Sequence, residues 1–288
     1  VVDSGRFLHG PEVSGLEAEC ASLCQTRHAI GCASGSDALL LALMGLNVGC
    51  GDEVILPSFT FFATASCVWR LGAKVVFADI DPQTYNIDPA SLEACITPAT
   101  KAIIPVHLFG QCAAMDQIHR IATKNSLHVI EDAAQAIGAT YKGRMAGNWG
   151  SVGCLSFYPT KNLGGMGDGG MMVCNNDQLA ARIRLLAAHG MQPRYYHNEV
   201  GINSRLDTLQ AAVLLVKLTQ LASYSAARQA NAARYQQLFQ EVKLDSCFEL
   251  PYRDPQAGHV WNQYGIRVSD GKRDSLRKYL AEKGVGSE

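Results

Sequence analysis

The feature of this 288-residue chain that most constrains its fold is an alternation of short apolar, β-branched runs with longer helical patterns. From about residue 30 onward the alternation continues without an internal repeat or a low-complexity linker. This order is typical of a parallel β-sheet whose strands are joined by crossover helices. The predicted strands are 53–56, 74–77, 102–106, 128–130, 152–157 and 170–174, and the predicted helices are 37–46, 60–71, 115–124 and 178–188.

The pattern changes after residue 204, where a long Ala- and Gln-rich helical segment begins. Leu206, Leu209, Val213 and Val216 form one apolar stripe on it. One more predicted strand, 263–268, and one helix, 273–283, follow. The predicted organisation is a large α/β domain with an N-terminal arm over 1–204, a long connecting helix over 205–245 and a small α+β domain over 246–288.

Charge and cysteine content narrow the class of protein. With 25 basic and 26 acidic residues the net charge is −1, so no overall electrostatic attraction to nucleic acid or an anionic membrane is expected. The ten cysteines form no C-x-x-C pair and no zinc-type spacing with histidine. We therefore expect free, mostly buried thiols in a reducing cytoplasm and no metal, with disulfides or a metal site as the alternatives. Neither a membrane-spanning apolar run nor a secretion signal is found.

The first residues that indicate chemistry are Gly35 and Ser36, in a turn of small residues that leads directly into a helix. Ligands of open α/β sheets bind at the carboxyl ends of the strands. A helix N-terminus with free N–H groups, a glycine that permits close approach and a serine hydroxyl together suit a phosphate. The alternative is that Ser36 or Asp37 is only a helix cap.

Two further strand ends carry ionisable side chains. Glu131 and Asp132 follow a predicted strand, and buried carboxylates there are costly without a cationic partner, so a solvated turn is the alternative. Lys161 lies just beyond another strand and precedes the glycine-dense stretch 164–170, although most lysines are simply surface residues. A lysine, an acid and a phosphate site at strand ends of one sheet are the set that pyridoxal phosphate requires.

The same motifs carry a family resemblance over residues 3 to 288. The matching stretches are 35–39, 51–55, 57–61, 105–110, 131–135, 156–157 together with Lys161, and 201–207. In these stretches the chain resembles the DegT/DnrJ/EryC1/StrS family of pyridoxal-phosphate-dependent sugar aminotransferases of fold type I. The resemblance implies a mostly parallel sheet sandwiched by helices, plus a smaller α+β C-terminal domain. Family members usually continue further, so we expect that domain to be incomplete here.

The resemblance also assigns roles to single residues. Lys161 is implied to form the internal aldimine with pyridoxal 5′-phosphate and then to move the proton between substrate and cofactor. Asp132 is implied to keep the pyridine nitrogen protonated, and Gln135 to lie near the ring hydroxyl. Phe61 is expected to stack on the ring, with a structural phenylalanine as the alternative.

The remaining implied contacts are to the phosphate. Gly35, Ser36 and Ser156 would hold it within one chain. Asn203 would reach it across the interface of a homodimer, with a turn-forming asparagine as the alternative. His107 is expected to be structural or to position a loop.

The implied reaction transfers an amino group from glutamate to a nucleotide-linked keto-hexose. Stretches 158–164 and 167–170 look more like those of members that act on 3-keto sugars than on 4-keto sugars. One alternative is a dehydratase of the same fold, in which histidine replaces the lysine; Lys161 argues against it. The other is a non-catalytic regulatory member, which the presence of Lys161 and Asp132 disfavours.

Overall fold

A computed structural model describes residues 1–244, 248–269 and 271–288 of the chain. The helices within these residues are α1 (Pro11–Cys24), α2 (Gly35–Gly45), α3 (Phe62–Arg70), α4 (Pro89–Ala94), α5 (Met115–Lys124), α6 (Asp177–Ala187), α7 (Thr208–Leu218), α8 (Leu221–Glu241) and α9 (Arg273–Glu282). The strands are β1 (His28–Cys32), β2 (Glu53–Pro57), β3 (Lys74–Ala78), β4 (Thr100–Ile103), β5 (His128–Asp132), β6 (Thr140–Tyr141), β7 (Arg144–Met145), β8 (Val152–Ser156), β9 (Gly170–Cys174), β10 (Phe248–Glu249), β11 (Ala257–Gly258) and β12 (Arg267–Val268).

A seven-stranded sheet in the order β1-β9-β8-β5-β4-β2-β3 forms the centre of the molecule. Strand β9 is antiparallel to both of its neighbours, β1 and β8, and the pairs from β8 to β3 are parallel. Strands β1, β8, β5 and β4 therefore run in the same direction, and their carboxyl ends lie along one edge of the sheet.

Both faces of the sheet are covered by helices. Ile55 of β2 belongs to one buried cluster, which includes residues of α1, α5 and α7. Its neighbours Val54 and Leu56 belong to the other cluster, with residues of α2, α3 and α6. Alternate side chains of a strand point to opposite faces, so an all-apolar strand is buried on both sides. The predicted α/β fold, a mostly parallel sheet between helices, is confirmed.

Several predicted boundaries differ from the structure. The strand predicted over 263–268 is reduced to Arg267–Val268. Gln263 instead receives a hydrogen bond from Gln135, and Tyr264 stacks on Tyr235. The described part of the predicted connecting helix, residues 205–244, contains two helices, α7 and α8. The elements that were not predicted from the sequence are α1, α4, β1, β6, β7, β10 and β11.

The cysteines do not form disulfides within the described residues. Nine of them are free, and those buried are Cys20, Cys24, Cys32, Cys67, Cys112, Cys154 and Cys174; Cys247 lies outside the described residues. Burial raises the pKa of Cys67 to about 11. In the part of the chain that the structure describes, no helix has the length and apolar character needed to cross a membrane.

A buried hydrogen-bond network ties β5 to the loop before β8. Ala113 N–H donates to His107 Nδ1 (3.2 Å), so His107 Nε2 carries a hydrogen and donates to Glu131 Oε2 (2.9 Å). The Glu131 carboxylate also accepts from three backbone N–H groups, those of Gly147 (2.8 Å), Trp149 (2.6 Å) and Gly150 (2.7 Å). The side chains of His107 and Glu131 are both 0% exposed. His107 is therefore a structural residue, as the sequence indicated.

Replacing Glu131 by glutamine is expected to lower the free energy of unfolding by about 3 kcal/mol, because the amide brings N–H groups where the buried network needs an acceptor. Urea unfolding followed by circular dichroism measures the change. The matched control is Glu93→Gln, which breaks an exposed pair with Lys124 and should leave the unfolding midpoint unchanged. Equal midpoints for Glu131→Gln and wild type would contradict the prediction.

Candidate active site

The predicted site residues lie at the carboxyl ends of neighbouring strands. At this edge Gly170, the first residue of β9, pairs with Cys32 of β1 on one side and with Ser156 of β8 on the other. On the next strand, Asp132 of β5 pairs with Cys154 of β8. The sheet register therefore brings the ends of β1, β8 and β5 together, as expected for a ligand site of an open α/β sheet.

The start of α2 follows β1 and forms a cradle of small residues. Ser34 caps the helix, since its Oγ accepts from Asp37 N–H (3.1 Å), and so neither Ser36 nor Asp37 is the cap. The N–H groups of Gly35 and Ser36 belong to the first turn, which a helix cannot satisfy internally. A Cβ on Gly35 would lie 2.6 Å from Ser156 Cβ, so only glycine permits this approach. Gly35, Ser36 and Ser156 are thus brought together.

Asp132 is buried at the end of β5, with 6% of its surface exposed. Thr64 of α3 donates to its Oδ2 (2.8 Å), and Ala134 N–H donates to its Oδ1 (3.2 Å). Burial raises the pKa of Asp132, while these two donors and the nearby Lys161 oppose the rise. The alternative of a solvated turn at Glu131 and Asp132 is wrong, because both carboxylates are buried.

Lys161 lies in the loop between β8 and β9 and is half-buried. Its N–H donates to the Tyr158 carbonyl (2.9 Å), and Gly165 N–H donates to the Phe157 carbonyl (2.7 Å), which folds the loop back on itself. Burial lowers the pKa of the Lys161 amine, and the charge of Asp132 opposes that shift. Lys161 and Asp132 therefore interact electrostatically, and Lys161 is not an ordinary surface lysine.

Gln135 and Phe61 lie in different surroundings, Gln135 hydrogen-bonded to other loops and Phe61 exposed. Gln135 Oε1 accepts from Phe109 N–H (2.6 Å), and its Nε2 donates to Gln263 Oε1 (3.2 Å). Gln135 thus connects the turn after β4 to the C-terminal part of the chain. Phe61 precedes α3 and is 75% exposed, so it does not pack in the core of this chain.

Asn203 lies in an exposed position before α7 and has no described contact with Lys161 or Asp132. Its Oδ1 accepts from Arg205 Nη1 (2.7 Å), and it forms a bridge with Ala188. Its neighbour Ser204 is buried and accepts from Ala33 N–H (3.1 Å), next to the α2 cradle.

Sequence reasoning missed two polar residues of this region. Thr64 contacts Asp132 directly and also hydrogen-bonds Thr60 (3.0 Å). The available signal was a pair of threonines four positions apart on a predicted helix, which places both on one face. Asn162, next to Lys161, is buried and hydrogen-bonded to the C-terminal part, and no local pattern indicated that contact.

Comparison with known proteins gives consistent matches along the chain. It is 50% identical over 287 residues to the pleiotropic regulatory protein of Geobacillus stearothermophilus, covering 100% of this chain and 76% of the relative. It is 49% identical over 285 residues to UDP-2-acetamido-2-deoxy-3-oxo-D-glucuronate aminotransferase of Pseudomonas aeruginosa, covering 99% of this chain and 78% of the relative.

The fold also matches a solved structure, DesV of S. venezuelae in complex with a ketimine intermediate. The TM-score is 0.94 at 45% identity, and the match covers 99% of this chain and 76% of that chain. The family model of the DegT/DnrJ/EryC1/StrS aminotransferases matches residues 1–288. The chain therefore belongs to the DegT/DnrJ/EryC1/StrS aminotransferase family.

Proposed function

We propose that the protein is a pyridoxal-phosphate-dependent aminotransferase that moves an amino group from glutamate to a nucleotide-activated keto-hexose. The observation that carries this proposal is that the half-buried Lys161, the buried carboxyl of Asp132 and the glycine-lined N-terminus of α2 all follow the carboxyl ends of neighbouring strands of one sheet. The product would be an amino sugar for a surface polysaccharide or a glycosylated natural product.

The residues present fit pyridoxal 5′-phosphate. The first turn of α2, with Gly35, Ser36 and the adjacent Ser156, offers N–H and hydroxyl donors to a phosphate. Asp132 is buried without a cationic side chain in direct hydrogen bond, which suits a protonated ring nitrogen. We assign Gln135 to the ring hydroxyl and the exposed Phe61 to stacking on the ring.

When bound, the cofactor supplies an aldehyde that links covalently to amines and a ring that withdraws electrons. Lys161 is the residue that we propose holds it covalently. Since burial lowers the pKa of the amine, more of Lys161 is uncharged at neutral pH and able to accept a proton from the substrate carbon. Asp132 would hold the protonated ring nitrogen of the bound cofactor, whose positive charge would favour the carboxylate form against the rise in pKa caused by burial. Thr64 orients that carboxylate by donating to Oδ2.

The substrate assignment is supported by the name of one relative. The Pseudomonas aeruginosa protein is named as an aminotransferase of a UDP-linked 3-oxo sugar acid. At 49% identity we propose a nucleotide-linked 3-keto sugar as the acceptor for this chain, in preference to a 4-keto sugar.

The test is a pair of half-reactions. Purified protein loaded with pyridoxal phosphate is expected to convert glutamate to 2-oxoglutarate in an amount equal to the enzyme, and then to turn over when a keto-sugar nucleotide is added. Mass spectrometry across 3-keto and 4-keto acceptors identifies the product. A protein that binds the cofactor yet yields no 2-oxoglutarate would refute the glutamate-dependent transfer.

A regulatory role is the second candidate, because one relative is named a pleiotropic regulatory protein. Lys161 and Asp132 are both present and follow neighbouring strands of the sheet, Lys161 half-buried and Asp132 buried, which favours catalysis. A dehydratase is disfavoured because it would lack the lysine. The glutamate half-reaction separates these functions, since a regulator produces no 2-oxoglutarate.

We also propose a homodimer with shared sites. Large apolar side chains remain exposed on the surface of the single chain, and they include Phe61, Phe62, Trp69, Met166 and Val216. Exposed apolar surface of this kind marks protein interfaces. In this assembly the exposed Asn203 of one copy would contact the cofactor phosphate bound by the second copy.

The domain division and the location of the reaction are part of the same proposal. The large domain would cover 1–204, the connecting segment 205–245 and the small domain 246–288. Free buried thiols suit a reducing compartment, so we place the reaction in the cytoplasm.

A further inference from the structure

Residues 259–263, here called the strap, connect the C-terminal part of the chain to several loops of the candidate site. Val260 N–H donates to the Gly110 carbonyl (3.0 Å), and Asn262 N–H donates to the Phe109 carbonyl (2.9 Å). Gln263 accepts from Gln135 Nε2 (3.2 Å). The strap therefore contacts both the turn after β4 and the loop after β5.

The strap also contacts the loop that carries Lys161, through its neighbour Asn162. Asn162 Nδ2 donates to the Val260 carbonyl (2.9 Å), and Asn162 Oδ1 accepts from Asn262 Nδ2 (2.7 Å). Asn162 is only 6% exposed, so its side-chain amide can form hydrogen bonds with water instead of the strap only if the loop moves. Each end of the amide has one matching partner, which defines the orientation of Asn162.

The strap itself is held in a defined conformation. Arg228 of α8 donates to the carbonyls of Trp261 (3.1 Å) and Asn262 (3.2 Å). The His259 ring stacks on Trp261 with centroids 3.8 Å apart, and its Nδ1 accepts from Trp261 N–H (3.0 Å). Burial lowers the pKa of His259 to about 4, so the ring stays neutral and able to accept at neutral pH.

The turn opposite the strap is shaped to receive it. A Cβ on Gly110 would lie 2.9 Å from Val260 Cγ2, 3.0 Å from Asn262 N and 3.1 Å from Trp261 N. Gly110 also has a φ of +99°, which strongly favours glycine. Gly110 allows close backbone contact with the strap, and Arg228 and His259 hold the strap's own backbone. The strap can therefore act as a fixed support for neighbouring loops.

We propose that Asn162 and Asn262 are positioning residues, through which the strap holds the 158–165 loop and so places Lys161 for attachment of the cofactor. The assignment rests on the proposed role of Lys161. Neither asparagine takes part in the chemistry. Their effect is to make the lysine's position depend on the C-terminal part of the chain.

The test uses Asn162→Ala, Asn262→Ala and the double variant, each as the full chain. The first readout is amide hydrogen exchange of the 158–165 loop in cofactor-free protein, which we expect to speed up about tenfold or more in each single variant. The second is the rate at which borohydride fixes pyridoxal phosphate on Lys161, which should fall about tenfold. The double variant should resemble Asn162→Ala, because that single change already removes the contact with Asn262 together with the bond to the Val260 carbonyl.

Asn125→Ala is the matched control, because Asn125 donates to the Ile121 carbonyl (2.9 Å) at the end of α5, away from the loop. Asn262→Asp is a second variant that keeps the side-chain volume and places an acceptor against Asn162 Oδ1. Should the alanine variant misfold, Asn262→Asp is expected to show the same acceleration of exchange.

The outcomes separate the two proposals. Exchange at wild-type rates in the 158–165 loop overturns the positioning role, whatever the cofactor does. Faster exchange with an unchanged rate of cofactor attachment also overturns it, since the contact would then be only structural. If wild-type protein attaches no cofactor to Lys161, the proposed function fails, while faster loop exchange still supports the strap as the support of the loop.

Discussion

Replacing Lys161 by alanine is expected to lower amino-group transfer at least ~10⁴-fold, because the variant loses both the covalent nucleophile and the proton-accepting amine. Lys161→Arg is expected to lose as much, since a guanidinium stays charged and cannot accept a proton at neutral pH. The measurement is steady-state turnover with glutamate and a keto-sugar acceptor. Mass spectrometry after borohydride reduction should show no cofactor on residue 161.

Lys124→Ala is the matched control for this experiment. Lys124 is an exposed lysine that pairs with Glu93 on the surface, and its loss should leave turnover within twofold of wild type. A Lys161→Ala variant that keeps wild-type turnover would show that another amine performs the reaction.

Replacing Asp132 by asparagine is expected to lower turnover about a hundredfold or more, the size expected for removing one partner of a buried charge pair. Asparagine has nearly the same shape and still accepts from Thr64 or Ala134, so the fold should be kept. What is lost is the negative charge at the end of β5. Turnover near the wild-type value would exclude Asp132 as the anionic partner of the cofactor ring.

The same variant gives a readout that needs no cofactor. The charge of Asp132 raises the pKa of Lys161 against the lowering caused by burial. Asp132→Asn removes the opposing effect, so the pKa of Lys161 should fall further. Competitive acylation of cofactor-free protein should then show the labelling of Lys161 reaching its midpoint at a lower pH than in wild type. A midpoint that moves to higher pH would contradict the interaction.

The strand periodicity was sufficient to predict the α/β sheet, and the strand-end residues offered Gly35, Glu131, Asp132 and Lys161 as site candidates. The choice of Asp132 over Glu131 came from the family resemblance. These features are local: apolar runs, glycine at close approach and ionisable residues directly after a strand. The burial of Glu131 was not predictable in this way. Its partners His107 and the loop before β8 come from distant parts of the sequence and meet only in the folded sheet.

Contacts between separated segments account for the other differences as well. Residues 263–268 show the alternation of a strand, but Gln263 hydrogen-bonds Gln135 and Tyr264 stacks on Tyr235, so the strand is limited to Arg267–Val268. Nothing in the local sequence specifies those partners. The role of Asn162 was missed for the same reason, since its hydrogen bonds are to residues about a hundred positions away.

The consecutive carboxylates of β5 point to opposite faces of the sheet, where Glu131 joins His107 and Asp132 joins Thr64 of α3. Because side chains alternate along a strand, inserting or deleting a single residue within β5 would exchange the two faces. The buried network would then lose the Glu131 carboxylate, and the candidate site would lose the Asp132 carboxylate, through the same change. The length of β5 is therefore constrained from both faces of the sheet at once. The loop before β8 is constrained with it, because its backbone N–H groups donate to Glu131.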